Sequence, residues 1–347
     1  MHRAYYYCKH CKAGSFPWDE VVGLDQGLST GLQPLVCLAG VLAPFDDAAE
    51  DVLRRFTGIR LSASTVLRTT EAAGQDLQQQ LQSGPVPKPS QREAGWQTPR
   101  EGDLPAVYVG VDAFSVPMQG PEGAKAEHRM LYTGVLYTPD KEHTRYVVDF
   151  DLDQVTAKLR RVAGACGIGK VAGVIAITDG GNGIEEALHR AFADDLRTIL
   201  DWYHAAEHVH QFGHDCFDPD SEAAKAWNRQ AIDILYEQGG TALLQFLEAW
   251  QPPPQASAET AEELRKLKGY FTNNQHRTDY PAYRAKGWDI GSGPTEAGCK
   301  IVGERLKGSG MRWVEKGAEA TASLRALYVS GAKVWDGFWE SRPRRAG

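Results

Sequence analysis

The sequence is poor in cysteine, has no long apolar run and lacks any excess of basic residues. Its six cysteines are scattered over 347 residues, and only Cys8 and Cys11 lie close together. Because no secretory signal pattern is present, this usage predicts reduced thiols in a cytoplasmic protein. The longest apolar stretch, from Leu35 to Phe45, is broken by Gly40 and Pro44 and is shorter than the about 20 residues of a bilayer span. We therefore expect no membrane partner.

Basic residues do not dominate the charge. The chain has 38 Lys and Arg against 45 Asp and Glu, which gives a formal net charge of -7. The overall charge therefore does not predict nucleic-acid binding, and any contact with DNA must come from local basic patches. The length is sufficient for a sizeable core and predicts about two domains.

Two apolar runs end on aspartates at matching positions. Residues 107–112 and 171–179 are rich in β-branched side chains and predict buried strands. Asp112 is expected at or just past the end of the first strand, and Asp179 at the end of the second. If the strands lie side by side, both carboxylates meet at one edge of a sheet. Carboxylate oxygens are the ligands that Mg²⁺ and Mn²⁺ prefer.

The order of the predicted elements indicates the fold class. An antiparallel meander of strands 107–116, 128–137 and 145–150 is followed by helix 153–165, strand 171–178, helix 183–193, strand 196–200 and helix 201–212. This is the order of a ribonuclease-H-like α/β core, a mixed sheet with flanking helices. In that core the first and fourth strands are neighbours, which places Asp112 near Asp179. Residues 106–217 are predicted to form its first part.

A third carboxylate is expected from a later helix. Residues 218–285 have apolar side chains at helical spacing and predict a helical insertion, after which residues 286–347 complete the core. The segment Gly291-Ser-Gly-Pro-Thr-Glu296 opens a helix that runs to about Lys307. Each of the three carboxylates alone could be an ordinary strand-end or helix-start acid. Together, in this order, they favour a two-metal site for phosphoryl transfer.

The N-terminal segment, residues 1–45, carries a partial zinc-ribbon motif. Its cysteines form the sequence Cys8-Lys-His-Cys11, flanked by tyrosines. A structural Zn²⁺ needs four ligands, and the chain has no second Cys-x-x-Cys pair. Cys8 and Cys11 are therefore either ligands of an incomplete zinc site or two free thiols.

Residues 46–81 resemble a helix-turn-helix. The pattern predicts two short helices separated by Gly58, the second capped by a serine and ending at Gly74. The residues expected to contact DNA there are Arg60, Ser64 and Arg68. An ordinary helical hairpin with a solvated polar face is an equally good interpretation. Residues 82–105 are rich in Pro, Gly, Gln and Ser, which predicts a linker.

A second basic patch follows Glu296. The residues predicted to contact DNA in this patch are Lys300, Arg305, Lys307, Arg312 and Trp313. The cations would track a phosphate backbone, and the indole would stack on an unpaired base. The alternative is that Trp313 packs under the last helix.

One motif indicates a different chemistry. The sequence His204-Ala-Ala-Glu207-His208 fits the inverted zinc-peptidase signature, with both histidines on one face of a helix. A zinc peptidase would leave Asp112 and Asp179 unexplained. The alternative, which we favour, is that these histidines pack beside the site of the carboxylates.

As an ordered set, the motifs resemble the DDE transposases of ISKra-type bacterial insertion sequences, distant relatives of the Mutator-like group. The matching motifs are Val109-Gly-Val-Asp112, Ile177-Thr-Asp179-Gly-Gly-Asn-Gly-Ile184, Asp201-Trp-Tyr-His204-Ala-Ala-Glu-His208, Gly291-Ser-Gly-Pro-Thr-Glu296 and Gly310-Met-Arg-Trp313. The resemblance covers nearly the whole chain. It implies that Asp112, Asp179 and Glu296 form the DDE triad and hold two Mg²⁺ or Mn²⁺ ions.

The resemblance also implies an activity and its partners. A transposase cuts DNA strands at the ends of its element and joins them to target DNA, acting as a homo-oligomer on DNA in the bacterial cytoplasm and nucleoid.

The chain departs from the related groups at one motif. These groups carry Cys-x-x-His where this chain has Asp201-Trp-Tyr-His204. We therefore rank His204 above Asp201 as a residue adjacent to the site, and we expect His208 to be adjacent to it as well. The reduced cysteine ribbon predicts an N-terminally shortened copy. A catalytically inactive, DNA-binding remnant is therefore the second interpretation.

Overall fold

The computed structural model describes residues 4–21, 24–25, 27–89, 106–168, 173–180, 183–193, 196–217, 221–252 and 258–342. Several predicted features lie outside these ranges. They are the linker residues 90–105 and the start of the strand predicted at 171. The sequence also predicts a helix cap at Asn182, an interruption of the insertion by three prolines and a basic tail, of which Asn182, Pro253, Pro254, Arg344 and Arg345 lie outside the ranges as well.

The N-terminal region consists of short hairpins followed by helices. Its first elements are β1 (Tyr6–Tyr7), β2 (Gly14–Ser15), α1 (Pro17–Val21), β3 (Leu24–Asp25) and β4 (Leu28–Ser29). The helices that follow are α2 (Gln33–Leu42), α3 (Phe45–Asp47), a π-helical segment (Ala48–Leu53), α4 (Arg54–Thr57) and α5 (Ala63–Gln82). The predicted break at Gly58 and the serine cap are confirmed: α4 ends at Gly58, and Ser62 accepts a hydrogen bond from the Thr65 amide.

Helix α5 is longer than the sequence pattern predicted. The expected end at Gly74 is wrong, because the helix continues to Gln82. Gly74 instead lies against the backbone of Ala320, where a Cβ atom would overlap the carbonyl group. The glycine therefore allows a close helix crossing and does not terminate the helix.

A mixed sheet of five strands forms the centre of the molecule. The strands are β5 (Val107–Val116), β6 (Arg129–Tyr137), β7 (Thr144–Asp149), β8 (Val174–Thr178) and β9 (Leu196–Leu200). Their order across the sheet is β7-β6-β5-β8-β9. The β5-β6-β7 pairs are antiparallel, and the β5-β8-β9 pairs are parallel. The predicted meander and the parallel crossover are therefore confirmed.

Helices connect the strands and extend the chain beyond them. Those within the sheet region are α6 (Leu152–Ala165), α7 (Ile184–Phe192) and α8 (Trp202–Cys216). The helical insertion consists of α9 (Glu222–Gln238), α10 (Gly240–Ala249), α11 (Ala258–Asn274), a 3-10 turn (Gln275–Arg277) and α12 (Tyr280–Ala285). The last helices are α13 (Gly293–Gly303), α14 (Glu315–Val329) and α15 (Ala332–Ser341). Helix α13 is shorter than predicted, because residues 304–306 form turns.

The two faces of the sheet contribute to different apolar clusters, because successive side chains of a strand point to opposite sides. On one face, Val109 belongs to a cluster that includes Leu159 of α6 and Leu77 of α5. On the other face, Tyr108 belongs to a cluster that includes Phe271 of α11. The N-terminal helices and the insertion therefore share their cores with the sheet. Within the ranges described, no helix combines the length and the apolarity needed to cross a membrane.

Candidate active site

Two of the predicted carboxylates follow the paired part of two neighbouring strands. The parallel pairing of β5 and β8 ends at Val109 and Ala176, and Asp112 and Asp179 are each three residues beyond that last pair. Asp179 directly follows β8, at its carboxyl end. Asp112 lies inside β5, which continues to Val116, so the prediction that it ends the strand is wrong.

A third aspartate continues this row. The pairing of β8 and β9 matches Thr178 with Leu200, so Asp179 and Asp201 are the next residues on each strand. Asp201 is fully buried. Each of three adjacent parallel strands therefore has an aspartate beyond its last parallel pair, and we call Asp112, Asp179 and Asp201 the aspartate row. The carboxyl edge of such strands is where open α/β sheets commonly place their ligand sites.

Helix α13 covers the face of β5 that carries Asp112. Gly110 lies under Thr295, where a Cβ atom would overlap the threonine hydroxyl, so a larger residue would push the helix away. Further along the helix, Cys299 is buried close to Asp112. Burial, and then the charge of Asp112, raises the pKa of the Cys299 thiol, which keeps it protonated. The Asp112 carboxylate accepts a hydrogen bond of 2.7 Å from the Ala113 amide.

Glu296 lies on the first turn of α13 and is linked to the aspartate row through Ser292. The Ser292 hydroxyl lies 3.3 Å from Oε1 of Glu296. The Ser292 amide donates a hydrogen bond of 2.5 Å to Oδ2 of Asp201. Asp201 thus holds the start of the helix that carries Glu296.

Asp201 also begins helix α8. Its Oδ1 accepts a hydrogen bond of 2.9 Å from the His204 amide, which makes it the N-cap residue. Its own amide donates to the Thr178 carbonyl at 2.8 Å, just before Asp179. The family resemblance ranked His204 above Asp201. In the structure Asp201 is the residue that joins several elements, whereas His204 is only partly buried.

The two histidines of the peptidase-like motif lie on α8. Nδ1 of His204 is 3.5 Å from Oε2 of Glu207, and the His208 ring packs on the Tyr270 ring at 4.0 Å. Burial, and then the charge of His204, lowers the pKa of His208. In this structure the histidines have an ordinary packing environment beside the insertion.

Metal binding requires a grouped set of ligands. In the described ranges, no three His, Cys, Asp or Glu side chains are grouped so that they could hold a metal ion. The peptidase-like motif therefore has no third ligand among these residues. The same limit applies to Asp112, Asp179 and Glu296: their carboxylates have the right donor chemistry for Mg²⁺ or Mn²⁺, but their present arrangement does not fit a three-ligand site.

A buried arginine next to Asp179 was missed by the sequence reasoning. Arg277, from the turn after α11, is only 3% exposed. Its Nη1 donates to Oγ1 of Thr178 at 2.6 Å, and its Nε donates to Oδ1 of Asn274 at 2.9 Å. The insertion therefore places a cation beside the end of β8. The only sequence signal is an arginine at the end of an amphipathic helix, which is too common to indicate a site.

Glu185, on the first turn of α7, is the acidic partner of this arginine. Its Oε2 lies 3.3 Å from Arg277, and its Oε1 accepts hydrogen bonds from Thr198 at 2.8 Å and His276 at 2.9 Å. Burial raises the pKa of Glu185, but the hydrogen bonds from His276 and Thr198 and the charge of Arg277 outweigh it, so the pKa is lowered. We call Glu185, His276 and Arg277 the Arg277 cluster. The cluster joins α7 to the insertion and, through the hydrogen bond from Thr198, to β9.

A tyrosine of the insertion contacts the same loop. The Tyr270 hydroxyl donates to the Asp179 carbonyl oxygen at 3.4 Å. Burial raises the pKa of Tyr270, so its hydroxyl stays protonated and remains a donor. Tyr270 of α11 and Arg277 therefore both contact the chain at the end of β8, and both lie within 3.5 Å of the position of a Cβ atom at Gly180.

The predicted DNA contacts divide into exposed and buried residues. The exposed ones are Arg60, Ser64, Arg68, Lys300, Lys307 and Arg312. The ammonium group of Lys307 lies 4.9 Å from the centre of the Phe114 ring of β5. These side chains remain available to a phosphate backbone.

The structure contradicts the prediction for Arg305 and Trp313. Arg305 is 4% exposed and Trp313 is 7% exposed. The Arg305 guanidinium donates to the Gly40 carbonyl at 2.8 Å, and the Trp313 indole donates to the Leu306 carbonyl at 3.0 Å. Both residues fasten the end of α13 to the N-terminal helices. Trp313 therefore packs internally, as the alternative interpretation stated.

Cys8 and Cys11 lie in the loop of the β1–β2 hairpin and are exposed. The Cys11 amide donates to the Cys8 sulfur at 3.4 Å. Hydrogen bonds from Cys11 and His10 lower the pKa of the Cys8 thiol. The pair thus has the form of one half of a metal knuckle, and no further ligand joins it among the described residues.

Comparisons with known proteins add no assignment. No protein-family model matches the sequence, and no curated protein is significantly similar to it.

Proposed function

We propose that the protein is a DDE-type transposase of an insertion sequence, which cuts DNA at the ends of its element and joins it to target DNA. The observation that carries the proposal is the aspartate row at the carboxyl edge of the sheet. The strand order β7-β6-β5-β8-β9, with three antiparallel strands followed by two parallel ones, is the order expected of a ribonuclease-H-like core. In such a core this edge is the reaction centre.

The proposal gives Asp112, Asp179 and Glu296 the role of divalent-cation ligands. Two bound Mg²⁺ or Mn²⁺ ions would activate a nucleophile and stabilise the leaving oxygen in a phosphoryl displacement. Because these carboxylates are not grouped in the described structure, they must come closer together before they can share an ion. Glu296 is the member on a separate helix, and its side chain is therefore the one expected to turn towards the two aspartates.

The surrounding residues support the triad. Arg277 donates to the Thr178 side chain and Tyr270 donates to the Asp179 carbonyl, so both hold the end of β8. Asp201 holds the start of α13 and the start of α8 together. In the proposed reaction these residues orient the carboxylates and keep the loops of the edge in place. They do not exchange protons with the substrate.

DNA is the proposed substrate, and the exposed cations supply the phosphate contacts. Lys300 and Lys307 lie on and just after the helix that carries Glu296, and Arg312 follows them. Arg60, Ser64 and Arg68 lie at and before the start of α5, on the N-terminal helices. On a chain of net charge -7, such local patches would have to provide the electrostatic attraction.

Substitution of the triad tests the proposal. We expect Asp112→Asn, Asp179→Asn and Glu296→Gln each to reduce Mg²⁺-dependent cleavage of a labelled duplex carrying the element's ends by at least about 100-fold. The matched control is Asp233→Asn, an exposed aspartate on α9, which should cleave at the wild-type rate. Circular dichroism and thermal unfolding would check that each variant is folded. Cleavage at the wild-type rate by any triad variant contradicts the assignment.

A second candidate function is an inactive DNA-binding remnant. The observation that favours it is the absence of a grouped metal-ligand set among the described residues. It predicts that the wild-type protein shifts element-end DNA in a gel but does not cleave it with either Mg²⁺ or Mn²⁺. Cleavage by the wild-type protein, lost in the triad variants, excludes the remnant.

A further inference from the structure

The N-terminal hairpin, which we define as residues 4–18, has an unusual surface for this protein. It contains Lys9 and Lys12 and no aspartate or glutamate, whereas the whole chain has a net charge of -7. It also contains three consecutive tyrosines, a phenylalanine and a tryptophan. The hairpin is therefore a cationic and aromatic projection on an acidic molecule.

Most of these aromatic rings are exposed. The exposed fractions are 60% for Tyr6, 53% for Tyr7 and 59% for Trp18. Tyr5 is also exposed but leans on Phe16, with ring centres 5.0 Å apart. Large exposed apolar groups in a cluster commonly mark a binding surface. Here they do not contribute to the apolar core clusters of the sheet.

The hairpin has a defined shape, in which the consecutive Tyr6 and Tyr7 offer one ring on each face of the ribbon. Tyr6 pairs with Ser15, and Tyr7 pairs with Gly14. Its loop is closed by a hydrogen bond of 2.8 Å from the Cys8 amide to the Ala13 carbonyl. Lys9 and Lys12 lie in this loop and are exposed. The two lysines therefore lie at one end of a short ribbon whose first strand carries Tyr6 and Tyr7.

We propose that the N-terminal hairpin binds an unpaired strand of nucleic acid. Exposed rings stack on unpaired bases of any sequence, and lysines beside them attract the phosphates. An intact duplex fits less well, because its bases are stacked on one another and do not offer their faces. The inference rests on the proposed function for the identity of the strand, which would be DNA exposed at a cut or melted element end.

The test measures binding of the full chain to a fluorescent 20-nucleotide single strand and to the matching duplex. We expect Tyr6→Ala/Tyr7→Ala to weaken binding of the single strand by about tenfold or more, the usual effect of losing base–aromatic stacking. Lys9→Glu/Lys12→Glu should weaken binding and reduce the steepness of its salt dependence. Duplex binding should change less than single-strand binding in the tyrosine variant.

Two controls make the outcome specific. Tyr6→Phe/Tyr7→Phe keeps both rings and should bind like the wild type. Lys225→Glu/Lys266→Glu reverses two exposed lysines of the insertion and should bind the single strand like the wild type. The hairpin variants should unfold thermally like the wild type, because the hairpin rings are exposed and lie outside the core clusters.

Two results would overturn the inference. One is unchanged single-strand affinity in the Tyr6→Ala/Tyr7→Ala variant. The other is a hairpin variant whose molecular mass in light scattering differs from that of the wild type while its affinity for the single strand is unchanged. The hairpin would then be a contact between two copies of the chain. Failure of the proposed function is a separate result: the triad variants would then cleave like the wild type, whether or not the hairpin binds DNA.

Discussion

At the scale of single residues, Asp201 connects two helices of the candidate site. Its two carboxylate oxygens accept hydrogen bonds from the backbone amides of His204 and Ser292, at 2.9 and 2.5 Å. Its side chain is fully buried, so water cannot replace these interactions. One carboxylate thus sets the start of α8 and the start of α13.

We expect Asp201→Ala to destabilise the protein by about 2–4 kcal/mol, because it removes a helix cap and leaves a second buried amide without an acceptor. Asp201→Asn keeps one acceptor oxygen and should cost less. Urea denaturation of the wild type and both variants gives the comparison. An alanine variant as stable as the wild type would show that these two amides find other acceptors.

Glu185 makes the stability of the site depend on pH. Although burial raises its pKa, hydrogen bonds from His276 and Thr198 and the charge of Arg277 lower it overall. A carboxylate whose pKa is lower in the folded state stabilises that state at pH values above its unfolded pKa, about 4.3. This contribution is lost as the pH falls through the folded pKa.

The expected result is a difference in unfolding free energy between wild type and Glu185→Gln that is largest near pH 7. The difference should shrink as the pH is lowered below about 4. Urea denaturation at a series of pH values measures it, with Glu259→Gln as the control for an exposed glutamate. A difference that stays constant from pH 7 to pH 3 would contradict the role assigned to Glu185.

At the scale of elements, two glycines inside helices provide a matched pair. Gly74 of α5 meets the backbone of Ala320 in α14, whereas nothing lies within 4 Å of the position of a Cβ atom at Gly269 of α11. Gly269→Ala should therefore stabilise the protein by up to about 1 kcal/mol through helix propensity. Gly74→Ala should destabilise it by about 1–3 kcal/mol, because the helices must move apart.

The melting temperatures of the two variants give the comparison directly. We expect them to shift in opposite directions from that of the wild type. If Gly74→Ala is stabilised to the same extent as Gly269→Ala, α5 and α14 do not cross closely. The pair thus tests the packing of the N-terminal helices on the C-terminal region without touching the candidate site.

The strands and most helices could be predicted because their apolar residues repeat at regular spacing. The end of α5 could not, because a glycine that permits a close crossing looks the same in a sequence as one that ends a helix. Asp112 was expected at a strand end, yet β5 continues with Phe114 and Val116 buried. A polar residue within an apolar run does not itself reveal whether pairing stops there.

At the scale of the whole molecule, the candidate site could be predicted only as far as sequence motifs reach. Motifs identified residues that lie near one another along the chain or in a familiar order. Arg277 and Glu185 meet only because the insertion folds back onto α7. The burial of Arg305 and Trp313 likewise depends on the distant Gly40 and Phe45. Such long-range contacts leave no local pattern in the sequence.

The core extends across the predicted domain boundary. Cys37 of α2 and Leu77 of α5 belong to the same apolar cluster as Val109 of β5, Leu324 of α14 and Phe338 of α15. Residues from both ends of the chain thus fill one side of the sheet. The region predicted as a separate DNA-binding unit shares its packing with the last two helices.

The crossing of α5 over α14 has a consequence for synthesis in the cell. A ribosome completes α5 about 250 residues before Ala320 of α14 emerges, a delay of roughly 10–50 s at ordinary elongation rates. During that interval Leu77 and Leu81, which are buried in the finished molecule, have no C-terminal helix to cover them. The nascent chain therefore presents an apolar helix face to chaperones until α14 has been synthesised.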